Sequence, residues 1–154
     1  MVTMGFPRDL IKCIQIKLAN SKLVVSDKEI ETFQGTPQGS VLSPTLYSLF
    51  VNDLLSDLEA SKAIALAFAD DLIVIAQNRR EAEKATETVL NWTLRNNLKI
   101  NFEKCGFMQI RKTKHKEKGA AEPLWGIKEV RSYKYLGTCI DNTFSFKEEI
   151  LSKR

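Results

Sequence analysis

Histidine occurs once and cysteine three times in these 154 residues. His115 alone, with Cys13, Cys105 and Cys139 far apart, offers no zinc-ligand spacing. An odd, scattered set of cysteines is no disulfide framework either, so free thiols and an intracellular, reducing compartment are expected. No apolar stretch follows a basic start at the N-terminus, so no signal peptide is expected. Long apolar runs are missing too. The longest, "IALAFADDLIVIA", is split by Asp70 and Asp71 and is too short to span a bilayer, so no membrane association is expected. There are no repeats and no linker-like composition. With 44% hydrophobic and 27% charged residues, the chain reads as one compact globular domain or a large piece of something bigger.

The net charge is only +4, and its location says more than its size. The run "RKTKHKEK" over 111–118 holds Arg111, Lys112, Lys114, Lys116 and Lys118 against one glutamate, so the rest of the chain sums to zero. Clustered cations hold phosphate backbones through counterion release. A solvated loop is the commoner explanation of an isolated basic run.

Apolar spacing of three and four over Leu10, Ile11, Ile14 and Leu18 predicts a helix from Arg8 to Asn20. Two short strands around Ser26–Asp27 follow. Ser43 is a ready N-cap and Pro44 a good first residue for a helix over 44–59, with Leu46, Leu49, Phe50, Leu54 and Leu58 as its apolar stripe. In "AIALAF", Ala63, Ala65 and Ala67 share one face and Ile64, Leu66 and Phe68 the other, the pattern of a buried strand against which a helix packs closely. "LIVIA" is its hairpin partner, which sets Ala69, Asp70 and Asp71 at the turn. A helix over 78–96 carries Ala82, Ala85, Val89 and Trp92, the last read as core. "LKINF" and "FMQIR" read as strands around 103–106, and "IKEVRSYKYLGTCID" as strand with a tight bend at Gly137. A last helix is expected from near Phe144. The order predicts an α+β domain with a mostly antiparallel sheet packed on helices.

Two adjacent aspartates in the oiliest stretch need a reason, because burying one unpaired carboxylate costs roughly several kcal/mol. Aspartate is common in turns, where it bonds nearby backbone amides. The chemical alternative is a metal site, since hard divalent cations take one or two carboxylates plus substrate phosphates. Two ions so held would serve phosphoryl transfer. The second unusual stretch is "GTPQGSVLSP". Its glycines suit an ordinary turn before a helix, or a close approach of a nucleotide with Gln38 reaching it.

"GTPQGSVLSPTLYSLFVNDL", "FADD", "LKINFEKC" and "YKYLG", in this order, resemble the palm of reverse transcriptases, with the nearest likeness to those of non-LTR (LINE-like) retrotransposons. "MGFPRDLIKCI" resembles the helix before the glutamine motif, so the likeness covers nearly the whole chain. It implies a palm over 1–140 and the start of a thumb over 141–154. It also implies RNA-directed DNA polymerase activity with Mg²⁺ or Mn²⁺, an RNA template, a DNA primer and deoxynucleoside triphosphates. Asp70 and Asp71 match the metal ligands of the polymerase site. Phe68 and Ala69, with Gln38 and Gly39, match positions against the nucleotide, primer end and template. Lys104 matches the basic residue that protonates leaving pyrophosphate, with a solvated surface lysine as the alternative. Tyr135, Leu136 and Gly137 match the grip on the primer strand, and the five cations of 111–118 would hold the nucleic-acid backbone.

The family's further metal-binding aspartate lies upstream of the segment resembling "MGFP", and no residue here replaces it. The chain is therefore expected to need an upstream part of the same polyprotein, fingers included, and to be inactive alone. Two competing readings are a nucleic-acid-binding remnant without catalysis and a group II intron-type enzyme. An unrelated metal-binding domain is a third.

Overall fold

The computed structural model describes Met1, residues 4–19, 22–25, 28–31, 35–37, 39–110 and 122–145, and Ile150. The chain divides into two compact units, Met1–Asp53 and Leu54–Arg154.

The first unit holds α1 (Arg8–Ala19), β1 (Lys22–Val25), β2 (Lys28–Glu31) and the start of α2 (Ser43–Ala60). β1 and β2 form an antiparallel hairpin, with Val25 opposite Lys28. Ser43 does not cap α2 as the sequence suggests. Its hydroxyl donates to the Pro37 carbonyl at 2.9 Å, and the Leu42 carbonyl accepts the amide of Leu46 at 2.9 Å. The serine is spent on fixing the preceding loop.

In the second unit α2 ends in a Schellman motif. Lys62 takes a positive φ of 66°, its amide donates to Glu59 and that of Ala63 to Leu58. Leu58 and Ala63 are both buried, the apolar contact that usually accompanies this motif. β3 (Ile64–Phe68) and β4 (Asp71–Ile75) form the expected hairpin, with Ile64 opposite Ile75 and Phe68 opposite Asp71. β4 runs beside α3 (Arg79–Arg95). Asn78 caps α3, its side chain accepting the Glu81 amide, and Ala85 and Trp92 are buried on it. Its far end is a second Schellman motif. Asn97 at φ 54° is followed by Leu98, whose amide donates to Thr93 at 2.8 Å.

That cap explains one departure from expectation. Among the described residues, 98–102 of "LKINF" and 107–110 of "FMQIR" form no strand. The Leu98 amide is committed to the helix end, and Asn101 caps a short 3₁₀ turn, Phe102–Lys104, by accepting the Glu103 amide. From this stretch only Phe107 joins a ladder, in an isolated parallel bridge to Glu129. β5 (Ser132–Tyr135) and β6 (Thr138–Asp141) then form a third antiparallel hairpin.

Among the described residues the expected single sheet is three two-stranded sheets. Nor is β3 a buried strand: Ile64 and Phe68 are each 62% exposed and Leu66 51%. Burial on both faces requires cover on both. Residues directly opposite share a face, so Ile64, Leu66, Phe68, Ile73 and Ile75 line one side of the ribbon. Among the described residues that side stays largely open. The last helix expected from near Phe144 falls mostly outside the described residues.

Candidate active site

The β3–β4 hairpin closes with two residues, Ala69 and Asp70. Ala69 has a φ of 50°, whereas Asp70 keeps a negative one. A positive φ at the first central position alone is the sign pattern of a II′ turn, which favours glycine there. An L-residue held left-handed costs about 1–2 kcal/mol. Local strain of this kind gathers at functional sites. Asp70 is the second turn residue, and Asp71 opens β4 opposite Phe68. Asp71 therefore ends the same open face that carries Leu66 and Phe68. Both aspartates are exposed, and neither side chain has a hydrogen bond or ion pair among the described residues. The turn role common for aspartate does not account for them.

Two unengaged carboxylates fit a hard divalent cation whose other ligands are water and substrate phosphates. No third histidine, cysteine, aspartate or glutamate joins them among the described residues. The pair is a candidate for holding such an ion, and no more than these two carboxylates of the site lie among the described residues.

Gly39 is exposed with a φ of 80°, a conformation that disfavours any side chain. Gln38 and the five cations Arg111, Lys112, Lys114, Lys116 and Lys118 lie outside the described residues. Gly39 belongs to the first unit and the aspartates to the second.

Lys104, on the 3₁₀ turn, is exposed. Its carbonyl accepts the Tyr133 hydroxyl at 2.5 Å. Two residues on, a Cβ at Gly106 would stand 2.9 Å from Val130 Cγ2 and 3.3 Å from Tyr133 Cδ2. The glycine thus lets the turn lie flat on the chain entering β5. Phe107 completes the seam, its amide donating to Lys128 and its carbonyl accepting from Val130. Tyr135 and Tyr133 point to the same side of β5, and Leu136 and Gly137 form the tip, with φ of 46° and 83°. Two positive φ values mark a I′ turn, whose second position glycine fills.

The sequence gives no role to Tyr133, nor to the residues that hold 122–125 against α3. Arg79 pairs with Glu83 at 2.9 Å, donates to the carbonyl of Glu122 at 3.0 Å and lies over the Phe107 ring, 5.8 Å from its centroid. Trp125 donates its indole N–H to the Glu83 carbonyl at 3.2 Å. Arginine next to arginine at a helix start gives no such signal in sequence. Asp141, buried at the end of β6, accepts from the hydroxyls and amides of Thr143 and Ser145. These bonds hold its carboxyl well below the usual carboxylate range. Burial pushes the Cys105 thiol up.

The sequence pattern of reverse transcriptases (RNA-dependent DNA polymerases) matches residues 3–140. The chain belongs to the reverse transcriptase family. Such enzymes in general depend on divalent metal ions. The chain is similar to the RNA-directed DNA polymerase from mobile element jockey of Drosophila funebris, at 30% identity over 77% of the chain and 14% of the relative. It is 28% identical to the Pol polyprotein from type-1 retrotransposable element R1 of Nasonia vitripennis, over 75% of the chain and 38% of that protein. To the Pol polyprotein from type-2 retrotransposable element R2DM of Drosophila melanogaster it is 31% identical, over 73% of the chain and 12% of the relative. These relatives are non-LTR retrotransposon proteins, and the chain spans well under half the length of each. No solved structure matches the chain.

Proposed function

We propose that this reverse transcriptase chain is the palm segment, with the start of the thumb, of an RNA-directed DNA polymerase acting inside the cell in retrotransposition. The observation that carries the reading is the unengaged carboxylate pair on a strained hairpin tip. Mg²⁺ (or Mn²⁺) held there would supply charge neutralisation and activation of the primer hydroxyl for attack on an incoming nucleotide. Asp70 and Asp71 would hold the ions, and their rigid hairpin fixes where the reacting phosphate sits. Phe68, Ala69, Gln38 and Gly39 would lie against the nucleotide, primer end and template. Lys104 would hand a proton to the departing pyrophosphate. Tyr135, Leu136 and Gly137 would grip the primer strand, and the cations of 111–118 the phosphate backbone.

Two adjacent carboxylates cannot by themselves hold two ions in line, so we assign a further carboxylate, with the fingers, to an upstream part of the same polyprotein. On this reading residues 1–154 alone incorporate no nucleotide with Mg²⁺ or Mn²⁺. The test is primer extension on an RNA template by the isolated chain and by the polymerase that carries it. Silence of the first and activity of the second support the reading. Robust extension by the isolated chain would remove the need for an upstream carboxylate.

The absence of a third ligand among the described residues also favours a second reading, a nucleic-acid-binding remnant without catalysis. A polymerase that binds primer–template but never extends it would establish that reading. In either case the 111–118 cations should steepen the salt dependence of binding, by a log–log slope of about 0.9 per phosphate contact on B-form DNA. An unchanged slope after replacing all five would leave them a solubility feature.

A further inference from the structure

We propose that Tyr133 is a positioning residue for Lys104, locking the 3₁₀ turn so that the lysine side chain starts from one fixed place. This rests on the reading of Lys104 as proton donor to pyrophosphate. Three contacts converge on that turn. The Lys104 amide donates to the Asn101 carbonyl at 3.1 Å, and its carbonyl accepts the Tyr133 hydroxyl at 2.5 Å. Gly106 lies against Val130 and the Tyr133 ring with no room for a Cβ.

A lysine is a point charge on a flexible four-carbon stem, so what the protein can fix is where the stem begins. Misplacing a catalytic group by 1 Å costs roughly 10²-fold. The turn's remaining bonds are its own, from the Glu103 amide to the Asn101 side chain and from the Cys105 amide to Phe102. Among the described residues 98–101 form no ladder, so Tyr133 and the bridge at Phe107 are what tie this stretch to the strand side. Tyr133 is also two residues from Tyr135 on β5. One strand thereby connects the proton donor's turn with the proposed primer grip.

The test is single-turnover incorporation by the polymerase that carries this chain, with nucleotide affinity measured separately. Tyr133→Phe keeps the ring and removes the hydroxyl. It should lower the incorporation rate roughly 2- to 10-fold, the usual worth of one hydrogen bond, and leave nucleotide affinity unchanged. In a Lys104→Leu background the same change should do nothing further, because the group being positioned is gone. A general weakening of the fold would instead carry over into that background. Gly106→Ala gives an independent handle. It should lower the rate by crowding Val130, and Val130→Ala, which removes the obstructing Cγ atoms, should restore it.

Full rates in both Tyr133→Phe and Gly106→Ala would overturn the proposal while leaving Lys104 in place. Equal losses with and without Lys104 would also overturn it, showing a purely structural role. A Lys104→Leu polymerase with an undiminished rate would overturn the reading of Lys104, and the proposal with it.

Discussion

Two hairpins of the second unit each close with two residues, and their tips differ at the second of them. At the β5–β6 tip, Leu136 and Gly137 both take a positive φ, and glycine stands where the turn asks for it. At the β3–β4 tip, Ala69 is left-handed without being glycine, and an aspartate follows it. Below the first tip Tyr133 ties the hairpin to Lys104, and Phe107 bonds to Lys128 and Val130 just ahead of β5. The carboxylates of the second have no partners among the described residues. Each tip holds one non-glycine residue left-handed, Leu136 in the first and Ala69 in the second, and only the first places a glycine beside it. The second carries an exposed charge in that place instead, the feature on which the proposed cation site rests.

The largest effect should come from giving one tip the other's sequence. Ala69→Leu with Asp70→Gly should keep the hairpin folded but lower nucleotide incorporation by the intact polymerase on the order of 10³-fold, as loss of a metal ligand does. Retained activity would show that the two tips differ in nothing but turn chemistry. Single changes sharpen the contrast. Gly137→Ala should destabilise the fold by about 1–2 kcal/mol, because alanine is strained at φ 83°. Ala69→Gly relieves the same strain and loses some chain entropy, for a net gain of about 0.5 kcal/mol. Chemical denaturation reads both, and equal signs would dissolve the comparison.

A smaller effect concerns acid. Asp141 has a depressed carboxyl in the folded chain, so its contribution is present above the ordinary carboxylate range near pH 4 and fades as pH falls toward the folded value. Asp141→Asn should therefore flatten the loss of stability below about pH 4 and lower stability at neutral pH. An acid limb unchanged by that substitution would assign acid sensitivity to other carboxylates.

Much of this was legible in the sequence, for local reasons. Both hairpin tips and the buried Trp92 follow from turn chemistry and helical spacing, which act over a few residues. What was not legible depends on partners distant in the chain. The alanine face of β3 reads as a buried strand only if something covers the ribbon, and composition cannot say whether it does. "LKINF" alternates like a strand, but Asn97 and Asn101 divert its ends into a helix cap and a 3₁₀ turn. Tyr133 is one of three tyrosines in the chain, and only the fold brings its hydroxyl to a carbonyl 29 residues away. The aspartate pair stands out as a candidate because it breaks the pattern around it.

The measurement closest to the central claim is the divalent-metal-dependent, RNA-templated extension of a primer by the polymerase that carries this chain, compared with its Asp70→Ala and Asp71→Ala variants. Primer–template affinity is followed in parallel. The account predicts that each substitution abolishes extension while binding and folding persist. Full extension by the Asp70→Ala and Asp71→Ala variants would contradict it.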